Sequence, residues 1–133
     1  MATILTAAFG SLLMGVDANR PRAVQERWPG GIYGLSNAET GAPWPRKDRL
    51  NRALTEWFAV DGHDPVDLFD VLLDEQCPAS GDPPIFIRND IYGTRCSTLV
   101  AVDGDGGGCI MERRFDRDGN FARESRFSFD WPI

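Results

Sequence analysis

Two short Asp/Gly clusters near the end of the chain leave it few folds. They are Asp103-Gly104-Asp105-Gly106-Gly107-Gly108 and Asp116-Arg117-Asp118-Gly119-Asn120. Each is rich in Gly and Asp, which supply the positive φ angles that such turns need, so each reads as a hairpin turn. The segments they separate, 96–102, 109–115 and 121–129, have strand length and carry β-branched and aromatic residues. In the last of these Phe127 and Phe129 alternate with Ser128, which gives one apolar face. Strands joined by turns this tight pair antiparallel, so the region is expected to form a meander. Residues 85–88, Ile-Phe-Ile-Arg, read as one further strand just before it.

Upstream the apolar spacing changes. Leu50, Ala53, Leu54, Trp57 and Phe58 fall on one helical stripe, with Asp48, Asn51, Arg52 and Glu56 on the other side. A second helix opens with Asp64 as N-cap and Pro65 at the first helical position, and Asp67 suits its positive end. Leu68, Phe69, Val71, Leu72 and Leu73 supply its apolar face, and Cys77-Pro78 reads as its stop. Residues 79–84 form a loop. Nearer the start, 9–16 reads as a strand, 17–21 as a turn and 23–28 as a returning strand. Pro29-Gly30-Gly31 breaks it, and 32–35 reads as a short buried strand ending at Ser36-Asn37. Strands, two helices and then a meander make an α+β layout, with helices packed on an antiparallel sheet.

At 133 residues the chain fits one domain, 1–133. A net charge of −6 argues against a nucleic-acid partner, whose phosphates would repel it. The arginines near the end are interleaved with Glu112, Asp116, Asp118 and Glu124, a solvated mixed face instead of a basic patch. Cys77, Cys96 and Cys109 are an odd set without metal-ligand spacing, which fits a reducing, cytoplasmic location. The uncharged opening 1–16 lacks the positive start of a secretory signal, Gly10 and Ser11 interrupt it, and it is too short to span a bilayer.

Few residues offer chemistry. Neither Asp/Gly cluster completes a calcium loop, because Arg114 and Phe127 stand where the closing Glu belongs. No metal or other cofactor site is expected. His63, the only histidine, lies in a loop with no nucleophile elbow in the chain, so no catalytic residue is assigned. Cys96 and Cys109 read as strand residues facing the interior. Cys77-Pro78 has a second reading beside the helix stop, a thiolate offered to haem iron. Ser36, Asn37, Tyr92 and Arg95 are the candidate ligand-binding residues. Asn37 offers amide donors and Arg95 a planar fork for a carboxylate or phosphate, each placed after a strand-like segment or tight Gly turn.

Two stretches carry a family resemblance. They are Gly31-Ile32-Tyr33-Gly34-Leu35-Ser36-Asn37-Ala38 with Pro43-Trp44-Pro45 and Lys47, and Ile85-Phe86-Ile87-Arg88 with Tyr92-Gly93-Thr94-Arg95-Cys96-Ser97-Thr98. With Glu112-Arg113-Arg114-Phe115-Asp116 and Gly119 they resemble the NRDE family, the relatives of transport and Golgi organisation protein 2. The similarity runs from about Phe9 to Phe129. It implies part of the αββα sandwich of N-terminal-nucleophile hydrolases, with Asn37 where relatives bind an oxyanion and Arg95 near where they carry an Arg. The family's Asn-Arg-Asp-Glu string and N-terminal Cys do not occur, and Ala2 has no nucleophilic side chain. The chain therefore reads as the C-terminal half of such a domain. The resemblance implies a non-catalytic ligand-handling or trafficking protein, with a small-molecule, haem or lipid (acyl-thioester) ligand and a link to Golgi and secretory organisation. A truncated amidohydrolase is the alternative. Asn37 and Arg95 are expected at one cleft. A half-sandwich leaves one sheet face open, exposing side chains such as Leu99, Ile110 and Phe127 or their neighbours on the opposite pleat, so self-association, poor solubility or a partner bound there is expected.

Overall fold

The computed structural model describes residues 13–17, 24–28, 31–34, 44–60 and 64–131. Its elements run β1 (Leu13–Asp17), β2 (Val24–Trp28), α1 (Pro45–Phe58), a 3-10 turn (Pro65–Asp67), α2 (Leu68–Leu72), β3 (Cys96–Val102), β4 (Gly107–Phe115) and β5 (Phe121–Asp130). β1 and β2 pair antiparallel from Leu13 opposite Trp28 to Asp17 opposite Val24. β3, β4 and β5 form a three-stranded antiparallel sheet in that order. The fold is α+β, and the meander is present as its turns demanded.

Those two turns share one construction. In the first, Asp103 Oδ1 accepts from the N–H groups of Asp105 (2.9 Å) and Gly107 (2.8 Å). In the second, Asp116 Oδ1 accepts from Asp118 (2.9 Å) and Asn120 (2.8 Å). Gly106 and Gly119 take φ of 88° and 78°, which only glycine adopts without strain. The carboxylates are thus spent on backbone N–H groups and close hairpins. The first turn closes between Asp103 N–H and Gly107 O (2.9 Å), so β4 begins two residues before the expected Cys109.

The core lies between the helices and one sheet face. Leu50 and Leu54 of α1 and Leu68, Phe69 and Leu72 around α2 pack on Leu99 and Met111, with Ile85 beside them. Burying each such side chain contributes about 1.5–3 kcal/mol. Asp64 caps the 3-10 turn as expected, accepting from Val66 N–H (2.9 Å), while Asp67 accepts from Asp64 N–H (3.3 Å). Asn51 does not join the solvated side of α1. It is half-buried, and its Oδ1 is enclosed without a hydrogen-bond partner among the described residues.

Several local expectations are corrected. α2 stops at Leu72, well before Cys77-Pro78. Asp74 ends the run by accepting from Gln76 N–H (2.9 Å) and pairing with Arg49 of α1, which also donates to Gln76 O (2.9 Å). Residues 85–88 are not a strand. Their backbone bonds go to scattered partners: Phe86 N–H to Asp74 O (2.8 Å) and Ile87 N–H to Thr94 Oγ1 (3.0 Å), with a single bridge from Arg88 to Gly93. Ile85 and Phe86 are both buried although adjacent, which a pleated strand with one open face forbids. Residues 32–34 are irregular as well. Leu99 is buried at 7% exposure under the helices. The open face instead carries Val100, Ile110 and Phe127, which lie opposite one another across the sheet. Cys96 and Cys109 sit on strands, half-buried, and Cys77 is exposed. The expected segments 9–12, 18–23 and 35, and His63, lie outside the described residues.

Candidate functional site

Between the core and β3 the chain makes a compact excursion that carries the candidate site. Asn89 starts it. Its Oδ1 accepts from the N–H groups of Ile91 (3.0 Å) and Tyr92 (2.7 Å), a side-chain-closed turn that reverses the chain. Thr94 N–H then bonds Ile87 O (2.8 Å), which fixes the return path. Arg95 follows, and its carbonyl accepts from Phe115 N–H (2.9 Å), so its backbone is tied to the end of β4.

Arg88, Asn89, Asp90, Tyr92, Arg95 and Arg117 line a cleft of about 660 Å³ at this turn. The three guanidinium groups are not equivalent. Arg88 donates to Glu75 (3.0 Å) and to Asp118 O (3.1 Å), and its side chain lies across Gly119, where a Cβ would approach it to 3.1 Å. Arg117 pairs with Asp118 at 3.4 Å. The Arg95 guanidinium has neither an ion pair nor a hydrogen bond among the described residues. It therefore keeps its whole donor fork for a ligand, while Asp90 and Asp118 temper the positive field.

The other candidate stretch reaches the neighbouring end of α1. Gly34 lies against that helix so closely that a Cβ there would collide with Lys47 Cγ and meet Asn51 Oδ1 at 2.8 Å. Partial burial lowers the Arg46 pKa, and the Tyr92 phenol is near enough to act in the opposite direction. Gly34 thus packs on the first turns of α1. Tyr92 and Arg95 come together in one cleft. Ser36 and Asn37, which continue the chain after Gly34, lie outside the described residues.

Arg88 and Arg117 were not singled out from sequence. Arg88 reads as the end of a strand and Arg117 as part of a solvated turn, and only the packing of the second hairpin turn against residues 88–95 unites them. A second cleft, of about 710 Å³, opens at the far end of the sheet between Trp57, Pro65, Ala101, Cys109 and Phe129. Among the described residues no group of His, Cys, Asp and Glu is placed to hold a metal ion, and no helix is long and apolar enough to cross a membrane.

The sequence profile of the family described as transport and Golgi organisation 2 matches residues 5–117. No curated protein and no solved structure matches the chain.

Proposed function

The chain belongs to the transport and Golgi organisation 2 family, and from that premise we propose that it serves transport and Golgi organisation as a non-catalytic ligand-handling protein. Its ligand is an anionic small molecule or lipid whose carboxylate or phosphate docks on Arg95. Tyr92 lines the same site, and Ser36 and Asn37 are proposed as further ligand-binding residues. The observation that carries this reading is the Arg95 guanidinium, left without a partner among the described residues in a cleft where Arg88 and Arg117 are already paired.

Haem and an acyl-thioester are the two ligand types to test. Haem fits the donor set in kind: a Tyr oxygen is a known iron ligand, and an Arg fork matches a propionate. Cys77 does not line this cleft, so the Cys-Pro pair is not part of the proposed site. An acyl-thioester with a phosphorylated carrier would place its phosphates on Arg95 and its chain outside the arginine cluster.

The test is equilibrium titration of the purified chain, with haem followed by its Soret band and a long-chain acyl-thioester followed by calorimetry. A hydrogen-bonded charge contributes roughly 1.5–3 kcal/mol, so Arg95→Ala should weaken binding about tenfold or more. Arg52→Ala, on the exposed side of α1, should leave it unchanged. Failure of both ligands to bind, or equal affinity of the Arg95→Ala variant, would overturn the proposal.

A further inference from the structure

The two edges of the three-stranded sheet differ. No residue of β3 is exposed, and its neighbours include α2 and the 3-10 turn. β5 is the outer strand on the other side, and all of its residues except Ser125 and Phe129 are exposed. Ten residues long, it pairs with β4 alone among the described residues. One row of its backbone N–H and C=O groups therefore faces outward, an arrangement that invites another strand.

The charges on β5 say which strand fits. Glu124 and Arg126 share the helix-side face, since they lie opposite Arg113 and Met111. Arg113 Nε holds Glu124 Oε2 at 2.8 Å, which leaves Glu124 Oε1 available. Arg126 has no ion pair among the described residues. We propose that β5 pairs antiparallel with β5 of a second copy of this chain, about a two-fold axis through Ser125 and normal to the sheet. Glu124 then stands opposite the partner's Arg126, and Arg126 opposite the partner's Glu124. Arg123 stands opposite the partner's Phe127 on the other face, a cation against a ring.

Other registers fail on charge or align only the ends of the two strands. An axis at Glu124, Arg126 or Arg123 sets like charges directly against each other, and an axis at Phe127 sets Glu124 against the partner's Asp130. An axis between two residues would oppose side chains of opposite pleat, which a two-fold normal to the sheet cannot do in a regular antiparallel ladder. An axis at Ser128 would also set Arg126 against the partner's Asp130, but it overlaps only residues 126–130 of the two strands, whereas the axis at Ser125 pairs opposite charges over residues 121–129 with both helical layers on one side. The resulting six-stranded sheet is an isologous interface of the kind that closes as a dimer.

Sedimentation of the full chain across a dilution series tests the pairing. The expected result is a reversible monomer–dimer equilibrium. Arg126→Glu should weaken it about tenfold or more, because both attractive cross-strand pairs become repulsive. Circular dichroism should confirm that this exposed substitution leaves the fold intact. Register is tested by Ser125→Cys in a Cys77→Ser background, oxidised with copper phenanthroline. Opposed residues at the axis lie about 4.5–5.5 Å apart at Cα, within disulfide reach. A covalent dimer should form there and not with Phe127→Cys, which faces the partner's Arg123 instead of itself. A monomer at every concentration up to about 1 mM, an unchanged equilibrium in Arg126→Glu, or equal cross-linking at 125 and 127 would each overturn the proposal.

Discussion

Met111 and Ile110 are neighbours on β4, yet one is 1% exposed and the other 38%. The difference belongs to the two faces of one sheet. On the covered face Leu99 and Met111 meet Phe69, Leu54 and Leu72, and Arg113 lies over the Phe69 ring at 4.1 Å. The open face runs from Val100, Ile110 and Phe127 at one end to a polar group at the other. There Glu112 accepts from Arg114 (2.6 Å) and Thr98 (3.3 Å). Strand alternation alone assigns residues to two faces. Which face becomes the core depends on where the helices land.

The largest test of that contrast exchanges adjacent residues. Met111→Ala should cost about 2–5 kcal/mol, since the loss of a buried side chain leaves a cavity. Ile110→Ala should cost about 1 kcal/mol or less, as is usual for partly exposed positions. Urea titration of both variants checks this. Similar losses would mean that the open face is covered in solution. A smaller effect comes from the turns that bring the strands back. Gly119 has φ +78° and touches the Arg88 side chain, so Gly119→Ala should cost about 1–2 kcal/mol. Gly104, with ordinary φ and nothing within 4 Å of its Cβ position, should accept Ala with a change of about zero or a slight gain. Thermal melts separate the two.

The smallest effect is acid sensitivity, which should follow the open face and the second turn. The hydrogen bond from Arg114 lowers the Glu112 pKa, and the backbone N–H of Asn120 lowers that of Asp116. A depressed folded-state carboxylate contributes stability above its unfolded value, near about 4, and loses it as pH falls through the folded value. Melting temperature should therefore drop below about pH 4. Asp116→Asn, which keeps an acceptor oxygen but cannot titrate, should flatten part of that drop. An unaltered profile would remove the turn carboxylate from the explanation.

Much of this was legible in the sequence, and for a common reason. Hairpin turns, the Asp64 cap and the α1 stripe rest on interactions within about five residues, which composition and spacing encode directly. Residues 85–88 misled because their pattern is that of a buried strand, whereas their hydrogen bonds run to Asp74 and Thr94. Tyr92 and Arg95 could be picked as polar residues at a tight turn. Their companions Arg88 and Arg117 could not, because Arg88 reaches the site through a contact with Gly119 some thirty residues away.

By itself the sequence determined the α+β layout, the two turn types, the helix cap and membership in the transport and Golgi organisation 2 family. Each follows from local backbone chemistry or from motifs read in order. Only the tertiary structure decided which sheet face is core, where α2 ends, and that Arg95 is the cleft arginine left without a partner among the described residues. Those outcomes depend on packing and ion pairs between residues distant in the chain, such as Arg49 with Asp74 and Arg88 with Glu75, and spacing along a sequence carries no record of such pairings.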